Sequence, residues 1–354
     1  MLLSALLAVA AAGTGSPAAA AVPARLPIAA VLVRGERTAV VVDLSAGTRS
    51  GHRSVTVTRD GVPQWAHLAP VMSDGLAVAL VLDTSVTGAA TLPAWRSAGA
   101  RFILEAPAAT RAVVIDSSAP AAVIAGPAGG PAGTVRALSS VPARGVRDTA
   151  AAMTLALRQF PAAAPGRRLV VLYTTGLDAG GQDAGALAAG FRQSGTILVV
   201  VGPAVAGSYW AAVAAATGGF FAPARESDVG PALDQVSTVL ASRYLVEFPT
   251  PPTLPAQVSV RVDTADLTLT GDTVVAAAPA PSATTTHSRT RTAVIGGAAA
   301  AGLTALTAAA VMVVLRRRRR RAFASSVARQ APTVARGRAT VQPPAVGRAR
   351  AEDN

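Results

Sequence analysis

The side chains that most often carry catalysis are few in this chain and poorly placed for it. The three histidines, His52, His67 and His287, fall in stretches that read as β-rich flank or as a Ser/Thr/Pro stalk. Cysteine is absent, which removes thiolate nucleophiles, thiolate zinc sites and disulfides. No Gly-x-Ser-x-Gly elbow, phosphate-binding loop or dinucleotide glycine fingerprint occurs. The pairs Gly129-Gly130 and Gly180-Gly181 read as loops. An enzyme is therefore not expected. What remains is oxygen chemistry. The phrase Asp83-Thr84-Ser85-Val86-Thr87 sets a carboxylate and hydroxyls directly after an apolar run. In its plainest reading Asp83 caps its own loop by accepting backbone N–H bonds. Trp65, Trp95, Trp210 and the pair Phe220-Phe221 stand at helical or strand positions and read as core packing, with an exposed contact patch as the alternative.

The elements that must hold this phrase follow from hydrophobic period. Leu76 to Leu82, Ala112 to Ile115, Leu169 to Tyr173 and Ile197 to Val201 are short, continuous apolar runs, as strands covered on both faces require. Between and after them run helical stripes: Leu92, Trp95, Gly99 and Phe102; Val146, Ala150, Met153, Leu157 and Phe160; Val229, Leu233, Val236 and Leu240. Strands alternating with helices predict an α/β fold with a doubly wound, mainly parallel sheet. Ligands on such sheets lie beyond the carboxyl ends of the strands, which is where Asp83 stands.

At this point the chain resembles the von Willebrand factor A family, whose first strand ends in Asp-x-Ser-x-Ser; here the wording is VALVLDTS, continuing to Thr87. The resemblance spans roughly residues 76–242, including the later strand spacing and the segment GGFFAPA. It implies a protein-binding domain with a metal-ion-dependent adhesion site for Mg²⁺ or Mn²⁺. Asp83, Ser85 and Thr87 match the first loop of that site, since Thr offers the same hydroxyl as Ser. The other loops depart from the family pattern. Counting back from Asp148 puts Arg144 where a Thr ligand belongs, and Thr174-Thr175-Gly176 puts Thr175 where an Asp belongs. Losing a carboxylate and a hydroxyl weakens the case for a bound cation, and no cofactor is expected. The resemblance then implies that Arg144 stands in for the metal, pairing with Asp83 and hydrogen-bonding Ser85 or Thr87; the alternative is a solvated Arg144. Asp178 is a candidate for a water-bridged carboxylate.

Organisation along the chain gives the setting. The expected plan is a signal peptide over 1–21, a β-rich flank over 22–72, the α/β domain over 73–242 and a second β-rich flank over 243–275. The two flanks are expected to complete one small β-sandwich around the inserted domain, with two separate β additions as the alternative. A stalk follows over 276–292, then a transmembrane helix over 293–315, uncharged and long enough for a bilayer, and a basic cytoplasmic tail over 316–354. Six consecutive arginines, Arg316 to Arg321, mark the inner side. Eleven Arg and two acids give the tail +9 of the chain's +13, leaving +4 for everything before it. Nucleic-acid binding is thus not expected, whereas the tail suits anionic lipid. Arg as the sole strong base, with heavy Ala, Gly, Pro and Val usage, suggests a GC-rich genome such as an actinobacterium's. The expected function is a membrane-anchored, extracytoplasmic, non-catalytic protein-binding module. A structural component of a membrane secretion or pilus-type machine is the alternative.

Overall fold

The structure is a computed structural model, and it describes residues 24–47, 51–225 and 229–277. The expected signal peptide, most of the stalk, the transmembrane span and the basic tail lie outside the described residues. Among the described residues no helix is long and apolar enough to cross a membrane.

The chain begins with β1 (Ala24–Arg25), β2 (Ile28–Arg34), β3 (Arg37–Asp43), β4 (Ser54–Arg59), β5 (Val62–Gln64) and β6 (His67–Pro70). It continues through β7 (Ala77–Leu82), α1 (Leu92–Glu105), β8 (Arg111–Asp116), β9 (Ala122–Ala125), α2 (Gly130–Ser140) and α3 (Thr149–Arg158). Next come β10 (Arg168–Tyr173), α4 (Ala184–Gln193), β11 (Thr196–Gly202), α5 (Gly207–Ala215), β12 (Phe220–Pro223) and α6 (Val229–Ser242). It closes with β13 (Arg243–Pro249), β14 (Ala256–Asp263) and β15 (Thr268–Val275).

Six of these strands form one sheet in the order β12-β11-β10-β7-β8-β9. All neighbours run parallel except the edge strand β9, which lies antiparallel to β8. Numbered by chain position within the sheet, the order is 3-2-1-4-5-6, so the winding reverses between β7 and β10. The apolar runs alternate between two cores. Val78, Leu80 and Leu82 pack with Trp95 and Phe102 of α1 and with Leu233 and Val236 of α6. Ala79 and Val81 face Met153 of α3, Phe191 of α4 and Trp210 of α5. Both faces are covered, which is why the strands read as unbroken apolar runs.

The α1 and α6 stripes meet the core as the sequence predicts, but the α3 stripe does not. Asp148 accepts the Ala151 N–H at 3.1 Å and starts α3 there, so Val146 falls before the helix and is exposed, while Phe160 falls after it. Of the tryptophans, Trp95 and Trp210 are buried and Trp65 is exposed.

The remaining strands make two facing sheets, β1-β15-β14-β4-β5 and β2-β3-β13-β6. Leu26, Val40, Val42, Val57, Val246, Val258, Val260 and Leu269 fill the space between them. Strands from before and after the α/β unit pair directly, Val40 with Val246 and Val57 with Val260. The chain leaves at Pro70 and returns at Arg243, and these two ends are neighbours, since Tyr244 pairs with Pro70.

Candidate functional site at the carboxyl edge of the parallel sheet

Sheet register brings the chemistry to one level. Leu82 pairs with Tyr173 on one side and with Asp116 on the other, so the loops leaving β7, β8 and β10 emerge side by side at the point where the winding reverses. Asp83, Ser85, Thr87 and Thr175 all come together there. Asp83 is fully buried. Its Oδ1 accepts the Ser85 N–H at 3.1 Å and the Ser85 hydroxyl at 2.5 Å. Its Oδ2 accepts the Thr175 N–H at 3.1 Å and the Thr175 hydroxyl at 2.7 Å. The Ser85 and Thr87 hydroxyls lie 2.8 Å apart. Gly88 lets the turn after Ser85 fold onto this carboxylate, because a Cβ there would stand 2.7 Å from the Asp83 carbonyl oxygen.

The cation facing Asp83 is Arg147, and the expectation for Arg144 is corrected. Arg147 Nε donates to Asp83 Oδ2 at 2.7 Å, and its Nη2 donates to Thr87 Oγ1 at 2.8 Å and also to Thr175 Oγ1. Arg144 instead donates from Nε and Nη2 to Asp116 Oδ2, at 2.8 and 2.5 Å. The reason lies in the backbone between α2 and α3, which runs extended between the loops after β7 and β8. Arg144 N–H donates to Thr84 O at 2.7 Å and Val86 N–H to Gly145 O at 3.1 Å. On the other side Ala119 N–H donates to Val146 O at 2.8 Å and Asp148 N–H to Ser117 O at 2.6 Å. Stapled at both edges, the segment presents one arginine to each neighbouring carboxylate, three residues away from a count based on Asp148 alone.

Asp116 is a functional-site residue that sequence reasoning passed over. Its Oδ1 accepts the Ser118 N–H at 2.7 Å and the Ser118 hydroxyl at 2.6 Å, and also the Thr84 hydroxyl. The signal was present: Asp116-Ser117-Ser118 repeats the Asp-x-Ser wording of Asp83-Thr84-Ser85 at the end of the neighbouring apolar run. Asp178 is placed apart from this cluster. Its carboxylate accepts the N–H groups of Gly180 and Gly181, at 2.8 and 3.1 Å, within its own exposed turn. The sequence makes Asp178 a candidate for a water-bridged carboxylate, and the bonds the structure shows for it are those of this turn.

Electrostatics at the two carboxylates follows from these bonds. Burial alone would push the Asp83 carboxyl up, but the donors Ser85, Thr175 and Arg147 together hold it below the ordinary 3.8. Burial opposes ionisation of Asp116 as well, and Ser118, Thr84 and Arg144 outweigh it. Both carboxylates are thus held ionised, and both are supplied with donors from more than one loop.

No protein-family model and no curated protein matches the chain. Among solved structures it is similar to proximal thread matrix protein 1 from the mussel byssus, at 13% identity and a TM-score of 0.42. That match takes in 56% of this chain and 51% of the mussel protein, so the chain spans about half of its length. It is similar to a von Willebrand factor type A protein from Catenulispora acidiphila, at 11% identity and a TM-score of 0.40, over 71% of this chain and 72% of that one. It is also similar to the ArnB paralog VWA2 from Sulfolobus acidocaldarius, at 12% identity and a TM-score of 0.38, over 71% and 73% of the two chains. With TM-scores below 0.5 these likenesses decide nothing by themselves. The mussel protein has also been solved with a zinc-occupied MIDAS motif, which is a property of that protein.

The oxygens of this cluster, as arranged, do not fit a divalent cation. A Mg²⁺ ion draws oxygen ligands to about 2.0–2.1 Å in an octahedron. Here the face of Asp83 that would turn to it, with Thr87 and Thr175, already converges on the Arg147 guanidinium. The pair Asp83–Arg147 is charge-neutral, so no excess negative charge compensates dehydration of an ion. Among the described residues no group of three or more His, Cys, Asp or Glu side chains converges on a common point.

Four aliphatic side chains stand exposed on the loops of this edge. Val86, Val146, Leu177 and Val205 are each more than half exposed. They sit on the loop after β7, the α2–α3 segment, the loop after β10 and the loop after β11, all at the carboxyl edge.

Proposed function

We propose that this chain is a non-catalytic protein-binding module of the von Willebrand A type, displayed outside a membrane by a C-terminal anchor. The observation that carries the binding reading is the set of exposed aliphatic side chains, Val86, Val146, Leu177 and Val205, around a polar centre whose charges are already paired. Four exposed aliphatics carried on loops, at the edge where open α/β sheets hold their ligands, support reading this edge as an interaction surface. The order 3-2-1-4-5-6 and the phrase Asp83-x-Ser85-x-Thr87 support the family reading. Two ionised carboxylates supplied with donors, with no histidine beside them among the described residues, argue against a base or a nucleophile at this edge. The anchor reading rests on the uncharged span 293–315 followed by Arg316 to Arg321.

One experiment tests both parts. A photo-crosslinking residue is placed at Val146 or, as a control, at the exposed Leu104 of α1, in the full-length protein on intact spheroplasts. Discrete adducts at position 146 alone are expected, and external protease should cut them away while sparing a tag after Asn354. Equal labelling at both positions refutes the binding face, and loss of the tag with an intact ectodomain reverses the topology.

A further inference from the structure

Ser85, Thr87 and Thr175, with the Asp83 carboxylate, form an oxygen-lined cluster drawn from two loops, and a single side chain of a third segment reaches into it. That side chain is held from several sides. Arg147 bonds a carboxylate and two hydroxyls through Nε and Nη2, its backbone bridges Ser118, and its flanking residues are fixed by the Val146 and Asp148 hydrogen bonds. Its side chain is only 26% exposed, against full burial of its partner. A solvated surface arginine needs none of this. A planar guanidinium with donors directed at three separate oxygens does the organising work of a bound cation, without dehydration of an ion.

We infer that Arg147 is a tethered stand-in for a divalent cation: it locks the loops after β7 and β10 in one arrangement, and its removal exposes a latent hard-cation site. The inference rests on the von Willebrand A-type reading only for what the oxygens resemble; the occupancy by Arg147 is read from the chain itself. Two consequences follow. The binding face is set in its arrangement without metal, so changes in cation concentration do not regulate it. And the cluster keeps the oxygens of Asp83, Ser85, Thr87 and Thr175, while lacking the carboxylate whose position Thr175 occupies and the hydroxyl counted to position 144. Restoring negative charge at 175 while deleting the guanidinium should therefore create cation binding where there was none.

The test uses the full-length chain and Mn²⁺ itself as probe, read by electron paramagnetic resonance of the free ion and by thermal unfolding with chelator or with millimolar Mn²⁺. A cation that binds only the folded state raises the unfolding midpoint. Wild type is expected to show the same midpoint with and without Mn²⁺. Arg147→Ala should unfold at lower temperature, and Arg147→Ala/Thr175→Asp should bind Mn²⁺ and regain several degrees in its presence. Where either variant does not fold in chelator, recovery on refolding in Mn²⁺ counts for the inference and failure to recover counts against it. Wild type stabilised by Mn²⁺ in a way that Asp83→Asn abolishes would show that ion and guanidinium share the site, overturning the inference. So would a folded double variant that leaves Mn²⁺ free. Because the readout is cation binding rather than partner capture, this inference and the proposed function can fail independently.

Discussion

Asp83 and Asp116 end neighbouring strands with the same Asp-x-Ser turn and the same kind of partner, yet they are not equivalent. Each folds one carboxylate oxygen back onto its own Ser at i+2, and each turns the other oxygen to an arginine of the α2–α3 segment. Around Asp83 the arginine is part of a convergence: Thr175 from the far side of the winding reversal bonds both carboxylate and guanidinium. Around Asp116 the guanidinium bonds the carboxylate with two donors, Nε and Nη2, and the Arg144 side chain is 48% exposed. Both carboxylates join three segments, but only at Asp83 is the guanidinium itself shared with hydroxyls of two other loops and largely enclosed, while at Asp116 it forms a half-exposed pair at the rim. What separates them is place in the sheet. β7 is central and borders the reversal, so its loop meets β10 as well as the stapled segment, whereas β8 lies between β7 and the edge strand β9 and does not pair with β10.

The comparison breaks most readily at Asp83. Truncating one member of a well-enclosed ion pair leaves the other charge and its donors unpaired, which costs on the order of 3 kcal/mol. Asp83→Ala is expected to lose about that much, because it strands Arg147 together with the Thr175 and Ser85 donors. Urea unfolding of Asp83→Ala, Arg147→Ala and the double variant measures the coupling. Effects that simply add would mean that the two side chains share no energetic term, and the junction at Asp83 would then be a picture without force behind it.

Acid sharpens the comparison with a smaller effect. Both carboxyls sit below the ordinary 3.8 in the folded protein, so the unfolded chain takes up these protons first as pH falls. Their contribution to stability is therefore complete above about 3.8 and is lost as pH drops through the lower, folded values. Wild type should lose stability more steeply below about pH 4 than either Asp83→Asn or Asp116→Asn does, since each variant removes one such group from the titration. Unfolding curves across the acid range check this. Identical acid slopes in wild type and both variants would show that neither carboxyl is perturbed by its donors.

Much of the scaffold is legible in the sequence, because strands covered on both faces must be apolar throughout and α1 and α6 each carry an unbroken stripe. The site is legible only in part. Asp83, Ser85, Thr87 and Thr175 follow from one turn phrase and one strand end, both local. The missing ligands raise the expectation of a cation substitute, with a solvated arginine as the alternative, and they do not identify Arg147. Which arginine reaches Asp83 depends on the hydrogen bonds that tie residues 144–148 to Thr84, Val86, Ser117 and Ala119, and these pair segments some 30 to 60 positions apart. The α3 stripe misleads for a related reason: Val146 continues the helical period by chance, while the Asp148 cap ends the helix short of it. Asp116 escapes notice because the family wording is matched once and its repetition on the next strand has no counterpart to prompt it.

The smallest expected effect is at Arg144, and it is the one that decides whether the two pairs differ as described. Arg144 Nε and Nη2 both meet Asp116 Oδ2, a geometry that looks strong when distances alone are compared with the Asp83–Arg147 pair. Exposure argues the other way. With nearly half of the side chain in water, the charges are screened and holding the long side chain in place costs entropy, so such a pair contributes below about 1 kcal/mol. Asp116 Oδ1 keeps the Ser118 and Thr84 donors when the guanidinium is gone, and truncating the half-exposed Arg144 opens Oδ2 to water in place of the two lost bonds. The Arg144 backbone N–H to Thr84 O bond survives the substitution too, which keeps the segment in place. Urea unfolding should therefore show Arg144→Ala near wild type while Arg147→Ala is clearly destabilised. An Arg144→Ala loss as large as that of Arg147→Ala would mean that the rim pair is as enclosed as the junction. The contrast between central and flanking strands would then have to be abandoned.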